Sequence, residues 1–251
     1  MTAELERPAS RDSLFLWIMH RFGEEFTDHA LLKGGMALRL LDSPRSTTDI
    51  DYIFIPFKSK LDILGKIQEI LAELNEAEIE YELHSRMMRA NIRMDDVAIQ
   101  VEAAVAMDCP GTPMSTGGFA QSQGQPPQVI RIMSPELAMA HKLAAWNERR
   151  LMRDLYDCYF FVGRLNVNPD LAVLAERLQT IESRIPAIHK RKSMTIGELT
   201  QQLEAVNSGL NHASLRAELG GLIPDIELAG LDLRMKAGIS RLLEFLRLND
   251  S

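Results

Sequence analysis

Cysteine is nearly missing from this chain: 251 residues contain two, Cys109 and Cys158. Their separation matches no metal-ligand spacing, and one pair cannot form the dense framework of a small secreted domain. Reduced thiols and a cytoplasmic location are the expectation. Long apolar runs are lacking too. The longest early run, Leu14 to Met19, has six residues, which is short for a signal peptide and far too short to cross a bilayer. The acidic Glu4, Glu6 and Asp12 precede it, where a targeting segment carries positive charge. No membrane partner is expected. An excess of basic residues is also missing. With a net charge of −7, no global field attracts nucleic acid, so any RNA contact must use a local patch. No internal repeat is visible. The composition, 46% hydrophobic and 25% charged, is ordinary for a globular protein, and the length suits one large domain or two small ones.

The stretch from Lys33 to Asp51 stands out against this background. Gly34 and Gly35 lie between an apolar run, Ala30 to Leu32, and a helix-forming run, Met36 to Leu41. Arg45-Ser46-Thr47-Thr48 follows as a polar loop, and Asp49-Ile50-Asp51 opens a second apolar run ending at Ile55. The pattern reads as strand, Gly-Gly turn, short helix, polar loop and acidic strand. Alternate strand residues share a face, so Asp49 and Asp51 point the same way. Two like charges on one face are tolerable when a divalent cation sits between them, and magnesium takes one or two carboxylates plus waters and phosphates. Glycine allows close backbone approach to a ligand, and the amides opening a helix favour an anion. A phosphate-binding turn beside a metal-binding strand is what a nucleoside triphosphate with magnesium requires. Lys33 reads either as a phosphate ligand or as a solvated strand end. Arg45 suits phosphate, and Ser46 reads as a phosphate hydrogen bond or a turn cap.

The remaining chain supplies the frame. Ser10 or Asp12 caps a helix to about Phe26 with Leu14, Ile18 and Phe22 on one face; Trp17 and His20 read as packing residues. Ser59 to Asn75 is an amphipathic helix with Leu61, Leu64, Ile67, Leu71 and Leu74 inward. Three strands follow, Ile79 to His84, Arg89 to Met94 and Val97 to Ala104. On the last, Glu102 is the polar exception, a carboxylate that is costly to bury unless paired or metal-bound, or else one at an exposed sheet end. Cys109 to Gln128, rich in Gly, Pro, Ser and Gln, reads as a mobile loop, either closing over substrate or a plain insertion. Val129 to Met133 is a strand. Ser134-Pro135-Glu136 starts a helix carrying Lys142, whose stem lies among apolar residues and calls for an anionic partner. A triphosphate would serve, and a snorkelling Lys142 beside an Arg153–Asp157 helix-surface pair is the plainer reading. From Asn166 onward the pattern is helical. The basic run His189-Lys190-Arg191-Lys192 either touches RNA phosphates or is a solvated helix end.

Two blocks carry a family resemblance. Lys33-Gly-Gly-x-Ala-Leu-x-Leu, with Arg45-x-Thr-x-Asp-Ile-Asp51 behind it, resembles the AbiEii/AbiGii-type nucleotidyltransferase toxins, the group that includes the MenT toxins, on the nucleotidyltransferase superfold shared with DNA polymerase beta. Lys142 and Arg153-Asp154-Leu155-Tyr156-Asp157 match the second block. The resemblance covers about residues 30 to 162. It implies an α/β (α+β) fold: a mixed sheet flanked by helices over residues 1–133, then a C-terminal helical bundle over 134–251 that completes the active site. It implies Mg2+ or Mn2+ on Asp49, Asp51 and Glu102, and an NTP held by Gly34, Gly35, Arg45, Ser46 and Lys142. Asp49, Asp51, Lys142 and Asp157 are the implied catalytic set, with Asp157 orienting an acceptor hydroxyl, positioning Lys142 or serving as general base. Asp154 fixes the turn between helices. The implied function is a toxin of a toxin–antitoxin system in phage defence or growth arrest. It would transfer a nucleotide to tRNA or another RNA, with a cognate antitoxin as a separate chain. Transfer to a protein or small-molecule hydroxyl is the alternative acceptor reading, and a non-catalytic nucleotide-binding module the alternative class. Met36 departs from the small polar residue that the family often has after the glycine pair.

Overall fold

The computed structural model describes residues 8–183, 185 and 192–249. The chain divides into two compact units, Met1–Met133 and Ser134–Ser251.

The strands of the first unit are β1 (Ala30–Lys33), β2 (Asp49–Phe54), β3 (Glu78–Leu83), β4 (Met87–Met94), β5 (Val97–Val105), β6 (Gly111–Ser115) and β7 (Val129–Met133). They form one mixed sheet in the order β3-β4-β5-β2-β1-β7-β6. β1 runs parallel to β7, and β2 parallel to β5; the other neighbours are antiparallel. The strict alternation of side chains gives the sheet two unlike faces. One carries Ile50, Tyr52 and Phe54 from β2, with Ile99, Val101 and Ala103 from β5, into the core. The other carries Asp49 and Asp51, Gln100 and Glu102, and Arg89, Asn91 and Arg93 in register across β2, β5 and β4.

The apolar face is covered by α1 (Arg11–Phe26) and α3 (Leu61–Leu71). Ser10 caps α1 through a reciprocal pair with Ser13, a device worth about 1 kcal/mol. Phe22 and Phe26 then meet Tyr52 and Phe54 with ring centroids 4.6 to 5.8 Å apart. On α3 the inward stripe is Ile63, Ile67, Ile70 and Leu71, while Leu61 is exposed. Of the expected stripe, Ile67, Leu71 and Leu74 are buried and Leu64 packs against the core; Leu61 alone falls outside it, and Ile63 and Ile70 extend the buried face. Arg39, on α2 (Gly34–Leu40), holds Asp12 at 2.6 and 2.9 Å and lies over the Phe119 ring. It thereby joins the two helices rather than the site.

The segment Cys109 to Gln128 is not the loop its composition suggests. It contributes β6, paired antiparallel along β7, and α4 (Gly117–Ser122). Its few apolar residues are all used: Ala120 is buried, and Met114 and Phe119 pack against the core. Buried Thr116 closes the turn, its Oγ1 accepting from the Gln128 amide at 3.0 Å and lying 3.0 Å from His20 Nε2.

The second unit is helical among the described residues: α5 (Pro135–Arg149), α6 (Met152–Gly163), α7 (Leu171–Leu178), α8 (Ile196–Gly209), α9 (His212–Leu219), α10 (Asp225–Leu228) and α11 (Leu231–Leu248). Every residue of α6 from Asp154 to Val162 is buried, the mark of a central helix. It is flanked by α5 and α11. Thr195 and Glu198 form a capping box on α8. The helix expected over 170–185 ends at Leu178. Residues 1–7 and the basic residues His189, Lys190 and Arg191 lie outside the described residues. Among the described residues, no helix is long and apolar enough to cross a membrane.

Candidate active site

Gly34, the first residue of α2 directly after β1, has a φ of +72°, a left-handed conformation that glycine takes without a Cβ clash. The register explains the demand. Lys33 pairs with Asp51 across β1 and β2, so the next residue lies directly over the Asp51 carboxylate. A Cβ on Gly34 would sit 2.0 Å from Asp51 Oδ2. The backbone of the turn therefore touches the acidic strand because no side chain intervenes. One on Gly35 would meet Thr47 Oγ1 at 2.8 Å and Arg45 Nη2 at 2.9 Å. The buried Arg45 guanidinium thus lies against the second glycine, its Nη1 donating to the Ser46 carbonyl at 3.1 Å. Thr47 Oγ1 accepts from the Asp49 amide at 3.3 Å, which anchors the loop to the start of β2. The structure brings Gly34, Gly35, Arg45 and Asp51 into direct proximity. Met36 is buried in the core, so no hydroxyl follows the glycine pair, and α2 has only seven residues. Close backbone approach, rather than a long helix dipole, is what this turn offers.

Asp49 and Asp51 lie in phase on β2, both partly buried, with Gln100 and Glu102 as their partners on β5. Asp49 Oδ1 accepts from the Thr48 hydroxyl at 3.1 Å. Lys33 Nζ is 3.7 Å from Asp51 Oδ1, so Lys33 faces the acidic pair and is not a free strand end. Glu102 lies beside Asp51 in the sheet, but its Oε1 accepts from Arg89 Nη2 and Gln100 Nε2, each at 2.8 Å. That bond to Glu102 raises the Arg89 pKa further, and so fixes its charge. Among the described residues, no three His, Cys, Asp or Glu side chains are arranged as a ready metal cage. The donor set nevertheless suits a hard cation: two in-phase carboxylates, to be completed by water and phosphate oxygens. Sequence reading missed Arg89 and Gln100 as the partners of Glu102. The alternation over Arg89 to Met94 was visible, but the register placing Arg89 opposite Glu102 is a non-local fact.

In the second unit, Lys142 Nζ lies 2.7 Å from Asp157 Oδ2 and 3.7 Å from Asp154 Oδ1. Asp154 also accepts from Arg149 Nε at 3.1 Å and Nη2 at 2.8 Å. Both aspartates are fully buried, so the anionic partner that Lys142 needs is present within its own unit. Asp154 joins the end of α5 to α6, which is the turn-fixing role expected of it. Arg153 is exposed, while Asp157 turns inward to Lys142 and not to a surface pair with Arg153. Cys158, next along α6, is also fully buried, and its thiol pKa is pushed well up by desolvation and by the neighbouring aspartates.

The family model described as nucleotidyl transferase AbiEii toxin, type IV TA system, matches residues 17–235. Among solved structures, JHP933 from Helicobacter pylori is 16% identical, with a TM-score of 0.53 over 95% of this chain and 93% of that one. A second Helicobacter pylori structure, described as a candidate nucleotidyltransferase, is also 16% identical, with a TM-score of 0.56 over 96% of each chain. MenT4, a nucleotidyltransferase toxin from Mycobacterium tuberculosis H37Rv, is 15% identical, with a TM-score of 0.46 over 94% of this chain and 91% of that one. No curated protein matches. The likenesses to the two Helicobacter pylori structures establish a shared fold at low identity, and the family match spans most of both units. The chain belongs to the AbiEii family of nucleotidyltransferase toxins of type IV toxin–antitoxin systems.

Proposed function

We propose that this enzyme transfers a nucleotide from a nucleoside triphosphate to the 3′ end of an RNA, with tRNA as the acceptor, in a reaction that depends on Mg2+ or Mn2+. The observation that carries this reading is Gly34 seated directly on the Asp51 carboxylate, with Asp49 in phase beside it. A bound divalent cation would neutralise charge on the phosphates and the leaving pyrophosphate. Asp49 and Asp51 would hold it. Gly34 and Gly35 would let the backbone approach the triphosphate, with Lys33, Arg45 and Ser46 supplying charge and hydrogen bonds at its edge. Glu102 would join the acidic pair only after leaving Arg89. The acceptor oxygen bonds to the α-phosphorus, the bond to pyrophosphate breaks, and the hydroxyl proton passes to solvent. Lys142 is assigned to triphosphate charge, and Asp157 to positioning Lys142, the role that their 2.7 Å contact supports.

The tRNA acceptor, the separate antitoxin chain and a role in phage defence rest on the family resemblance of the two motif blocks. The test is incubation with each labelled NTP, magnesium and total tRNA or cell lysate, beside an Asp49→Ala/Asp51→Ala control. Label entering tRNA only with the acidic pair intact supports the reading. Label entering protein or a small molecule instead would overturn the RNA acceptor while keeping the chemistry.

A further inference from the structure

A groove of about 370 Å³ opens on the polar face of the sheet immediately beyond Asp49, within the roughly 300–1,000 Å³ span of small-ligand pockets. It runs from the strand start at Thr48 and Asp49, across β5 and β4, to Glu80 on β3. The residues that shape it are in register: Asp49 beside Gln100, Gln100 beside Asn91, Asn91 beside Glu80. Ala98, exposed on an interior strand, lies in register with Arg93 and provides the low floor. A methyl group on that floor, between long polar neighbours, leaves a flat recess.

The chemistry of the recess is selective. Two carboxamides stand side by side at Asn91 and Gln100; each amide nitrogen gives one hydrogen to a glutamate, Glu82 at 3.3 Å and Glu102 at 2.8 Å, and keeps a second hydrogen beside its carbonyl oxygen for a ligand. Paired donors and acceptors of this kind match the edge of a nucleobase. Arg93 flanks them with a guanidinium whose side chain is 73% exposed and only loosely paired, 3.7 Å from Glu78. A guanidinium plane is a stacking surface for an unpaired base. The carboxylates of Asp49, Glu78 and Glu80 outnumber the single cation Arg93. A phosphate is therefore disfavoured in the groove, whereas a neutral heterocycle with exocyclic amines is welcome. We propose that this groove seats the terminal base of a single-stranded RNA acceptor, with Asn91 and Gln100 reading its edge and Arg93 stacking on its face. Its 3′ hydroxyl is then delivered beside Asp49. The inference rests on the RNA-acceptor reading above and deepens it, since it assigns the acceptor subsite to residues of β4 and β5.

The experiment compares single-nucleotide transfer to a short RNA with transfer to the same RNA lacking its 3′-terminal base, for the wild type, Asn91→Leu and Arg93→Lys. Gln100 is left intact because it also holds Glu102. The wild type should lose about tenfold in acceptor KM when the base is removed, the order expected for one stacked base. Both variants should show a similar rise on the intact RNA, with little further rise on the abasic one and an unchanged KM for the NTP. Arg93→Lys keeps the charge and removes the plane, so full rescue by lysine would mean phosphate contact and would overturn the base assignment. A wild type indifferent to the missing base, or variants with wild-type acceptor KM, would overturn the groove alone. A wild type that labels no RNA of any kind would overturn the RNA-acceptor reading, and the groove with it.

Discussion

Replacing Gly34 by alanine tests the central geometry most directly. The new Cβ would lie 2.0 Å from Asp51 Oδ2, 2.9 Å from Cγ and 3.2 Å from Cβ, at a φ of +72°. Real Cβ contacts do not fall below 3.0 Å, so the carboxylate oxygen must retreat by about 1 Å, the difference between 3.0 and 2.0. Two penalties follow. Alanine in the left-handed region costs roughly 1–2 kcal/mol, and forcing Asp51 off its rotamer adds about 1 kcal/mol. The first unit should lose about 2–3 kcal/mol in urea unfolding and still fold. The loss of activity should exceed what instability explains, because a 1 Å misplacement of a reacting group costs about 100-fold. Nucleotide transfer should therefore fall about 100-fold at a temperature where circular dichroism shows the variant fully folded. Gly118→Ala is the control: nothing lies within 4 Å of a Cβ there, and an alanine inside a helix gains about 0.5–1 kcal/mol. A Gly34→Ala protein with wild-type transfer would refute the placement of Asp51 at the reacting phosphate.

Three further outcomes are expected. Lys142→Met leaves Asp157 buried without its 2.7 Å partner and should cost about 3–5 kcal/mol, whereas Lys142→Met/Asp157→Leu should recover most of it in the same urea titration; a single variant as stable as wild type would show that the pair is not holding the helices. His20 is buried beside Thr116, and desolvation lowers its pKa below the ordinary 6.5. The unfolded chain then takes up a proton before the folded one does, so urea midpoints should fall as pH drops below about 6.5, and His20→Gln should flatten that slope. Cys109 is pushed up to about 11 by burial and by Asp108, and burial with the neighbouring aspartates raises Cys158 as well. Neither thiol should react with a thiol-specific reagent at pH 7 until the chain is unfolded.

Much of this architecture was legible because its causes are local. The Gly-Gly turn before a short helix, the in-phase aspartates and the serine cap of α1 are each set by residues a few positions apart, and each lies where the sequence pattern puts it. Segments whose order depends on distant partners were not legible. Cys109 to Gln128 has the composition of a loop, yet β7 gives its backbone a hydrogen-bonding edge, and Thr116 gives its turn a buried anchor at His20, 96 positions away. Asp157 offered a surface pair with Arg153 by its i,i+4 spacing. The packing of α5 against α6 instead gave it Lys142 and took it out of solvent. Glu102 looked like a lone acid on an apolar strand, and only the strand register supplies Arg89 and Gln100.

The two charged clusters differ in how their charge is balanced. In the second unit, Lys142 and Arg149 meet Asp154 and Asp157, two cations against two carboxylates, all within 3.7 Å. That set is neutral as it stands, which is what burial demands. On the sheet face of the first unit, Asp49, Asp51 and Glu102 meet Lys33 and Arg89, and among the described residues no cation is ion-paired to Asp49. Asp49 and Asp51 are two like charges in phase on one strand, at the strand end where Thr48 and Asp49 open into the polar groove. Repulsion of this kind opposes folding and persists where a function needs it. The acidic pair also bears on Glu102. A divalent ion on the aspartate pair would reverse the local charge and weaken the hold of Arg89 on Glu102, and Glu82, 3.6 Å from Arg89 Nη1, is already positioned to receive the released guanidinium. Arg89→Ala should therefore tighten Mn2+ binding in calorimetry if Glu102 becomes a ligand. It should leave that binding unchanged if Glu102 is only a strut between β4 and β5.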